Sequence, residues 1–174
     1  MRAFLLAAAL IAAPLMAYAQ GGAHSHAHDG EPEPVPLVAT PQQQSEGAAF
    51  LASNRIEPGV VTLPSGLQYR VLAAGQADAG SPRPQDLVAV YYEGKLLDGK
   101  VFDGVLEDTQ PAVFPLFGLI PAWVEAMQLM HPGDEWMLWS PPELAYGDRG
   151  DEVIPANSVL SFRIKLVAFQ RRGA

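Results

Sequence analysis

The strongest constraint on the fold is a repeat of apolar side chains with a period of two residues near the carboxyl end of the chain. Between residues 159 and 169 an apolar side chain recurs at every second position. The repeating positions are Leu160, Phe162, Ile164, Leu166 and Ala168. Because successive side chains of a strand point to opposite faces, this pattern predicts one long strand with a single buried face.

Shorter strand patterns precede it. Leu67, Tyr69 and Val71 alternate with residues 68, 70 and 72 (Gln, Arg and Leu), which predicts a half-buried strand. Residues 87–92 are rich in β-branched and aromatic side chains. Asp98-Gly99 separates two apolar pairs and predicts a tight hairpin turn. Residues 112–116 predict a short strand that contains a proline and therefore lies at an edge or bends, and residues 134–140 predict a further strand.

One convincing helix interrupts these strands. The helix is predicted from Pro121 to Met130, because proline suits the first turn and Trp123, Met127 and Met130 recur at i, i+4 and i+7. The sequence His131-Pro132-Gly133 ends it. Several strands with short connections and one helix predict an α+β fold: a twisted antiparallel sheet, or half-barrel, wrapped around one short α-helix.

The amino-terminal part of the chain has a different composition. Arg2, a short apolar run and Ala17-Tyr18-Ala19 are typical of a cleavable secretory signal over residues 1–19, cut after Ala19. An uncleaved membrane anchor is the alternative, which the shortness of the run disfavours. We therefore expect a periplasmic or secreted protein that has no membrane association after cleavage.

Residues 20–60 predict a flexible tail rich in histidine and proline, with a short helix near 46–55 that is stable only when docked. The globular domain is expected over residues 61–170. His24, His26 and His28 alternate in the tail, so an extended chain could present all three to a divalent metal. A solvated low-complexity tail is the favoured interpretation, since such histidine tracts are weak evidence for a metal site.

The net charge of the chain disfavours partners that are themselves strongly negative. The chain of 174 residues has a formal net charge of −8, and no basic stripe offsets it. A negative surface repels phosphate backbones and anionic lipids, so nucleic acid is not expected as a partner. The absence of cysteine is compatible with an oxidising compartment but does not require one.

Four ordered segments carry the main functional indication. They are residues 63–69 (LPSGLQY), 97–103 (LDGKVFD), 120–130 (IPAWVEAMQLM) and 141–147 (PPELAYG). Together they make residues 63–169 resemble the FKBP-type peptidyl-prolyl cis-trans isomerases, and in particular their bacterial, Mip-like branch. The resemblance implies an enzyme that rotates Xaa-Pro peptide bonds, assists the folding of exported proteins and needs no cofactor. It also implies binding of proline-containing unfolded segments and of macrolide inhibitors.

The resemblance also assigns the site residues. Asp103, Tyr146, Trp123 and Phe102 correspond to the catalytic positions, with Trp123 as the floor of the pocket. The substrate-binding positions are Tyr92, Leu119, Ile120, Ile154 and Phe162. Taken alone, these residues also have structural interpretations: the apolar ones as core, Asp103 as the cap of a turn and Tyr146 as a packed surface aromatic.

Three features depart from the family pattern. Asp108 stands where the family has a basic partner for the pocket carboxylate, Ala122 replaces a glycine, and the 147–154 loop is one residue shorter. Asp108 keeps a second function open: a non-catalytic module or chaperone that binds proline segments in the same pocket. Because the dimer-forming helical region of Mip-like relatives is largely missing, the chain is expected to be a monomer.

Overall fold

The computed structural model describes residues 41–172, which form two α-helices and seven strands. The helices are α1 (Pro41–Asn54) and α2 (Pro121–Met127). The strands are β1 (Val61–Thr62), β2 (Gln68–Ala73), β3 (Leu87–Leu96), β4 (Val101–Val105), β5 (Ala112–Pro115), β6 (Glu135–Ser140) and β7 (Leu160–Gln170).

All strand pairs are antiparallel and belong to one open sheet, in the order β1-β2-β6-β7-β3-β4. The ten-residue strand β3 is paired on one side with β7 along its whole length. Its other side is shared, because β5 pairs with the first four residues and β4 with the last part. The proline of β5 thus lies in an edge strand, as predicted. The predicted α+β sheet is confirmed.

The turn between β3 and β4 is the predicted hairpin. The N–H of Gly99 donates to the carbonyl of Leu96 at 3.0 Å, and Gly99 adopts a φ of +87°, which a residue without a Cβ reaches without strain. The hairpin brings the consecutive residues Phe102 and Asp103 back alongside β3.

Helix α2 lies in the hollow of the sheet. Trp123, Met127 and Met130 are fully buried, together with inward side chains of β3, β6 and β7. The helix ends at Met127, three residues earlier than predicted, and Met130 reaches the core from the turn that follows. The apolar spacing therefore identified the buried face correctly but overestimated the length of the helix.

Strand β7 contains one departure from the predicted alternation. Leu160, Phe162, Ile164 and Leu166 are buried, whereas Ala168 is exposed. The pairing with β3 shifts register between Ala89 and Val90, so that a bulge turns the end of β7 by one residue. Phe169 instead packs against the core.

Helix α1 begins at Pro41, five residues before the predicted start, and is docked on the sheet. Its less exposed positions are Gly47, Phe50, Leu51 and Asn54, which follow the i, i+3, i+4, i+7 spacing of one helix face. The buried amide of Asn54 donates to Oε1 of Gln68 on β2 at 2.8 Å, and Nε2 of Gln68 donates to the carbonyl of Leu51 at 2.8 Å.

Within residues 41–172 no helix combines the length and apolarity that a membrane span requires. The same residues contain no group of three or more side chains placed to hold a metal ion. The predicted signal sequence and the histidines at positions 24, 26 and 28 lie outside the described residues, and those interpretations remain predictions.

Candidate functional site

An aromatic cluster packs between α2 and the strands β3, β4 and β7. The indole of Trp123 meets the rings of Tyr92 and Phe162 edge to face, with ring centroids 5.0 and 5.5 Å apart. Phe102 extends this cluster, because its ring lies edge to face on Phe162 at 5.8 Å. Such contacts add to the gain from apolar burial and hold the rings in defined orientations.

A bulge in β4 aims two consecutive residues into this cluster. Asp103 is opposite Gly94 and Val101 is opposite Lys95, so Phe102 is the extra residue between two paired positions. In a regular strand Phe102 and Asp103 would face opposite sides of the sheet; the bulge brings both to the side of Tyr92 and Phe162. Gly94 makes room, because a Cβ there would lie 2.7 Å from Cζ of Phe102.

Asp103 is held by two hydrogen bonds. The Tyr92 hydroxyl donates to Oδ2 at 2.7 Å, and the N–H of Gly104 donates to Oδ1 at 2.8 Å. Burial, followed by this bond to the carboxylate, raises the pKa of Tyr92 above its ordinary value of 10.0, so the phenol remains protonated and donating. Among the described residues no salt bridge involves Asp103, in keeping with the acidic residue at position 108.

Tyr146 lies in the connection between β6 and β7. We call residues 145–159 of this connection the pocket loop. The loop is closed by its own backbone: the N–H of Gly150 donates to the carbonyl of Tyr146 at 3.2 Å, and the N–H of Asn157 donates to that of Gly147 at 2.6 Å. Burial, and then the carboxylates of Asp151 and Asp103, raise the pKa of Tyr146 above 10.0. Its hydroxyl donates to no other described residue and is therefore available to a ligand.

A second available donor lies at the start of α2. The backbone N–H of Ile120 makes no hydrogen bond within the described chain, as is usual at the beginning of a helix. Leu119 and Ile120 are buried beside Trp123, and Ile154 of the pocket loop is buried in the same core. The structure thus gathers all nine predicted residues into one connected cluster, since Phe102 and Tyr146 pack against this core and Asp103 bonds to Tyr92.

Trp123, which was predicted to be the floor of the pocket, is enclosed by its neighbours. It lies at the base of the cluster, but none of its surface is exposed, and its indole N–H is buried without a partner among the described residues. Phe102 and Tyr146, in contrast, are partly exposed. An unsatisfied buried donor is unfavourable by about 1–3 kcal/mol, so contact of this N–H with an acceptor would be stabilising.

Two residues of the cluster escaped the sequence analysis. The ring centroid of Phe114 on β5 lies 6.3 Å from that of Tyr92. The sequence pattern of β5 predicted only a short edge strand and gave no indication of a site residue. Gly94 was not identified as part of the site, although a glycine inside a strand pattern is itself an indication of a bulge or a close approach.

The arrangement is suited to holding an apolar ring and polar carbonyl groups at the same time. Edge-to-face aromatic rings and buried aliphatic side chains supply a dry surface, and two hydrogen-bond donors lie at its margin. Such a surface alters the relative free energies of the conformers of a bound molecule without forming a covalent bond to it.

Comparison with known proteins relates the chain to one family. A family model described as FKBP-type peptidyl-prolyl cis-trans isomerase matches residues 79–167. A second model, described as a domain amino terminal to FKBP-type peptidyl-prolyl isomerase, matches residues 37–71, which include α1, β1 and most of β2.

Among curated proteins, the peptidyl-prolyl cis-trans isomerase Mip of Coxiella burnetii is 46% identical over 125 residues, covering 71% of this chain and 54% of that protein. The outer membrane protein MIP of Legionella longbeachae is 42% identical over 132 residues, covering 75% of this chain and 55% of that protein. The chain therefore spans about half the length of these curated relatives.

Solved structures show the same fold. The crystal structure of FkpA from Escherichia coli superposes with a TM-score of 0.70 at 37% identity, covering 74% of this chain and 60% of that one. A peptidyl-prolyl cis-trans isomerase from Pseudomonas syringae pv. tomato gives a TM-score of 0.68 at 34% identity, covering 77% of this chain and 98% of the other.

Proposed function

Because the chain belongs to the FKBP-type peptidyl-prolyl cis-trans isomerases and is Mip-like, we propose that it accelerates rotation about Xaa-Pro peptide bonds in unfolded segments of exported proteins. The observation that carries the proposal is the pair of available donors, the Tyr146 hydroxyl and the Ile120 N–H, at the margin of the aromatic cluster. No nucleophile or cofactor is required for this reaction.

The uncatalysed reaction is slow because amide resonance gives the C–N bond partial double-bond character, with a barrier of about 18–20 kcal/mol. Exchange at an Xaa-Pro bond consequently takes roughly tens to hundreds of seconds. The twisted transition state loses resonance and carries less charge on the carbonyl oxygen than the planar amide. A dry, apolar pocket therefore disfavours the planar ground state relative to the twisted one.

In the proposed complex the proline ring enters between Phe102 and Tyr146 and moves towards Trp123. The Tyr146 hydroxyl and the Ile120 N–H donate to two carbonyl groups of the substrate, which fixes the chain while the bond between them rotates. Asp103, whose carboxylate accepts the hydrogen bond from Tyr92, is proposed to face the twisting amide. An acceleration of about 10⁴ corresponds to about 5–6 kcal/mol of differential stabilisation.

The test is exchange NMR of a short Leu-Pro or Phe-Pro peptide in the presence of the purified protein, compared with Tyr146→Phe and Asp103→Ala. Faster cis–trans exchange with the wild-type protein, reduced in both variants, supports an isomerase that uses this cluster. Absence of acceleration by the correctly folded wild-type protein would refute the proposal.

Two observations favour a second function, a non-catalytic module or chaperone that binds proline segments. Asp103 has no cationic partner among the described residues, and Trp123 is covered, so the same cluster could retain a segment without twisting it. In that case the peptide would show line broadening or shift changes on binding, with an unchanged exchange rate.

The proposed setting is the periplasm or the extracellular medium, on the basis of the signal-like residues 1–19 and the relative whose name places it in the outer membrane. Amino-terminal sequencing of the exported protein tests cleavage after Ala19. We further propose that the protein is a monomer and that macrolides compete with proline peptides. A sedimentation mass of twice the chain would contradict the first, and undiminished exchange in excess macrolide would contradict the second.

A further inference from the structure

Helix α1 makes an unusually close approach to the pocket loop. Gly47 is buried although Glu46, Ala48 and Ala49 around it are exposed. A Cβ on Gly47 would lie 2.9 Å from Cγ2 of Val159, closer than carbon atoms pack. Glycine weakens a helix interior, so its presence here is explained by the need for this contact.

Val159 lies two residues from the hydrogen bond that closes the part of the loop carrying the candidate site. It closes the pocket loop and is itself buried, and two residues before it the N–H of Asn157 donates to the carbonyl of Gly147 at 2.6 Å. Gly147 follows Tyr146. This hydrogen bond is the route by which we expect a shift of Val159 to reach the backbone next to Tyr146.

The far end of α1 is fixed independently of the loop. Gln68 on β2 accepts a hydrogen bond from Asn54 and donates one to the carbonyl of Leu51, both at 2.8 Å. With this end held by the sheet, the contact at Gly47 sets how closely the helix and the loop approach. Grooves lie on both sides of the contact, one lined by Glu46 and Asp98 and the other by Ala48 and Pro142, so space for displacement exists.

We infer that α1 positions the pocket loop, and that Gly47 is the positioning residue through which the helix holds Tyr146 and Ile154 in place. The inference rests on the proposed isomerase activity for its functional consequence, because a small displacement of a donor lowers the rate of a reaction that depends on orientation. The amino-terminal helix is then a part of the catalytic domain and not only a connection to the residues before it.

The experiment uses the full chain and three variants: Gly47→Ala, Gly47→Ala with Val159→Ala, and the control Ala49→Gly. Gly47→Ala improves intrinsic helix propensity, so a loss of activity cannot come from a weaker helix. We expect kcat to fall on the order of three- to tenfold with KM changed less than twofold, because misorientation of the donor affects the transition state more than initial binding. Removing two methyl groups at Val159 reopens the space and is expected to restore most of kcat.

Ala49→Gly weakens the helix on its exposed side and is expected to leave kcat unchanged. A wild-type kcat in Gly47→Ala, or a double variant no more active than the single one, would overturn the inference. A loss with Ala49→Gly as large as that with Gly47→Ala would also overturn it, since general helix stability would then explain both.

Backbone amide NMR separates this inference from the proposed function. In Gly47→Ala we expect shift changes at residues 146–154 that disappear in the double variant. If the wild-type protein accelerates no exchange while these shifts behave as expected, the coupling stands and the isomerase proposal fails. If the shifts at residues 146–154 are unaffected by Gly47→Ala, the coupling is wrong whatever the activity.

Discussion

Replacement of Tyr92 by phenylalanine isolates one hydrogen bond of the site. The hydroxyl is buried on a residue only 3% exposed and donates to Oδ2 of Asp103 at 2.7 Å. A hydrogen bond to a charged group contributes about 1.5–3 kcal/mol to stability. Asp103 is only half-buried, so water can partly replace the lost donor. The expected loss of unfolding free energy at pH 7 is therefore about 1–2 kcal/mol.

The same substitution has an opposite effect in alkali. The pKa of Tyr92 is raised in the folded protein, so above pH 10 the unfolded chain releases this proton while the folded chain retains it. The unfolded state then binds fewer protons, and stability falls as pH rises, by about 1.4 kcal/mol per pH unit once well above the unfolded pKa. Tyr92→Phe removes this contribution, so its stability decreases less steeply than that of the wild-type protein.

The two curves are therefore expected to cross at about pH 11, where the alkaline contribution of roughly 1.4 kcal/mol equals the hydrogen bond that was lost. Guanidinium unfolding followed by tryptophan fluorescence at intervals from pH 7 to pH 11.5 measures both. Tyr146→Phe is a useful companion, because the pKa of Tyr146 is also raised and its hydroxyl donates to no described residue. The stability of Tyr146→Phe is expected to decrease less steeply above pH 10 than that of the wild-type protein, with no loss of stability at pH 7. Parallel curves for the wild-type protein and Tyr92→Phe would refute the reasoning.

Three further predictions concern other parts of the structure. Gly94→Ala places a Cβ 2.7 Å from Cζ of Phe102 and is expected to destabilise the fold. Overpacking of this kind costs about 1–3 kcal/mol, and Phe102→Leu in the same chain is expected to recover part of it in guanidinium unfolding. Asp86, 1% exposed, accepts hydrogen bonds from the N–H groups of Arg83 and Arg172 and from the Arg171 side chain. Burial by itself raises the pKa of Asp86, but these hydrogen bonds outweigh burial and hold the pKa below 3.8. The ionised Asp86 therefore stabilises the fold above pH 3.8, and this contribution is lost as the pH falls further. Asp86→Asn is therefore expected to lower the melting temperature at pH 7 and to approach the wild-type value below pH 3.8; a difference that grew in acid would contradict this. Asp108→Arg is expected to raise kcat/KM by no more than about fivefold, because a half-exposed ion pair with Asp103 contributes up to about 1 kcal/mol. An unchanged kcat/KM would show that the lack of a basic residue at position 108 does not limit the activity.

The sequence by itself determined the class of fold and the composition of the core. Alternation along residues 159–169 and the i, i+4, i+7 spacing of Trp123, Met127 and Met130 both reflect local geometry, in which the backbone period decides which side chains share a face. The Asp98-Gly99 hairpin is equally local. The resemblance of the four segments identified the residues of the candidate site, because their types and order are readable without knowing their distances.

Only the tertiary structure decided how these residues meet. The bulge that turns both Phe102 and Asp103 inward depends on Gly94 in the neighbouring strand, and the shift that exposes Ala168 depends on the register between β7 and β3. The contact of Gly47 with Val159 joins residues more than a hundred positions apart. Pairing register and the approach of distant elements are set by the combined packing of the whole core, and no local period in the chain records them.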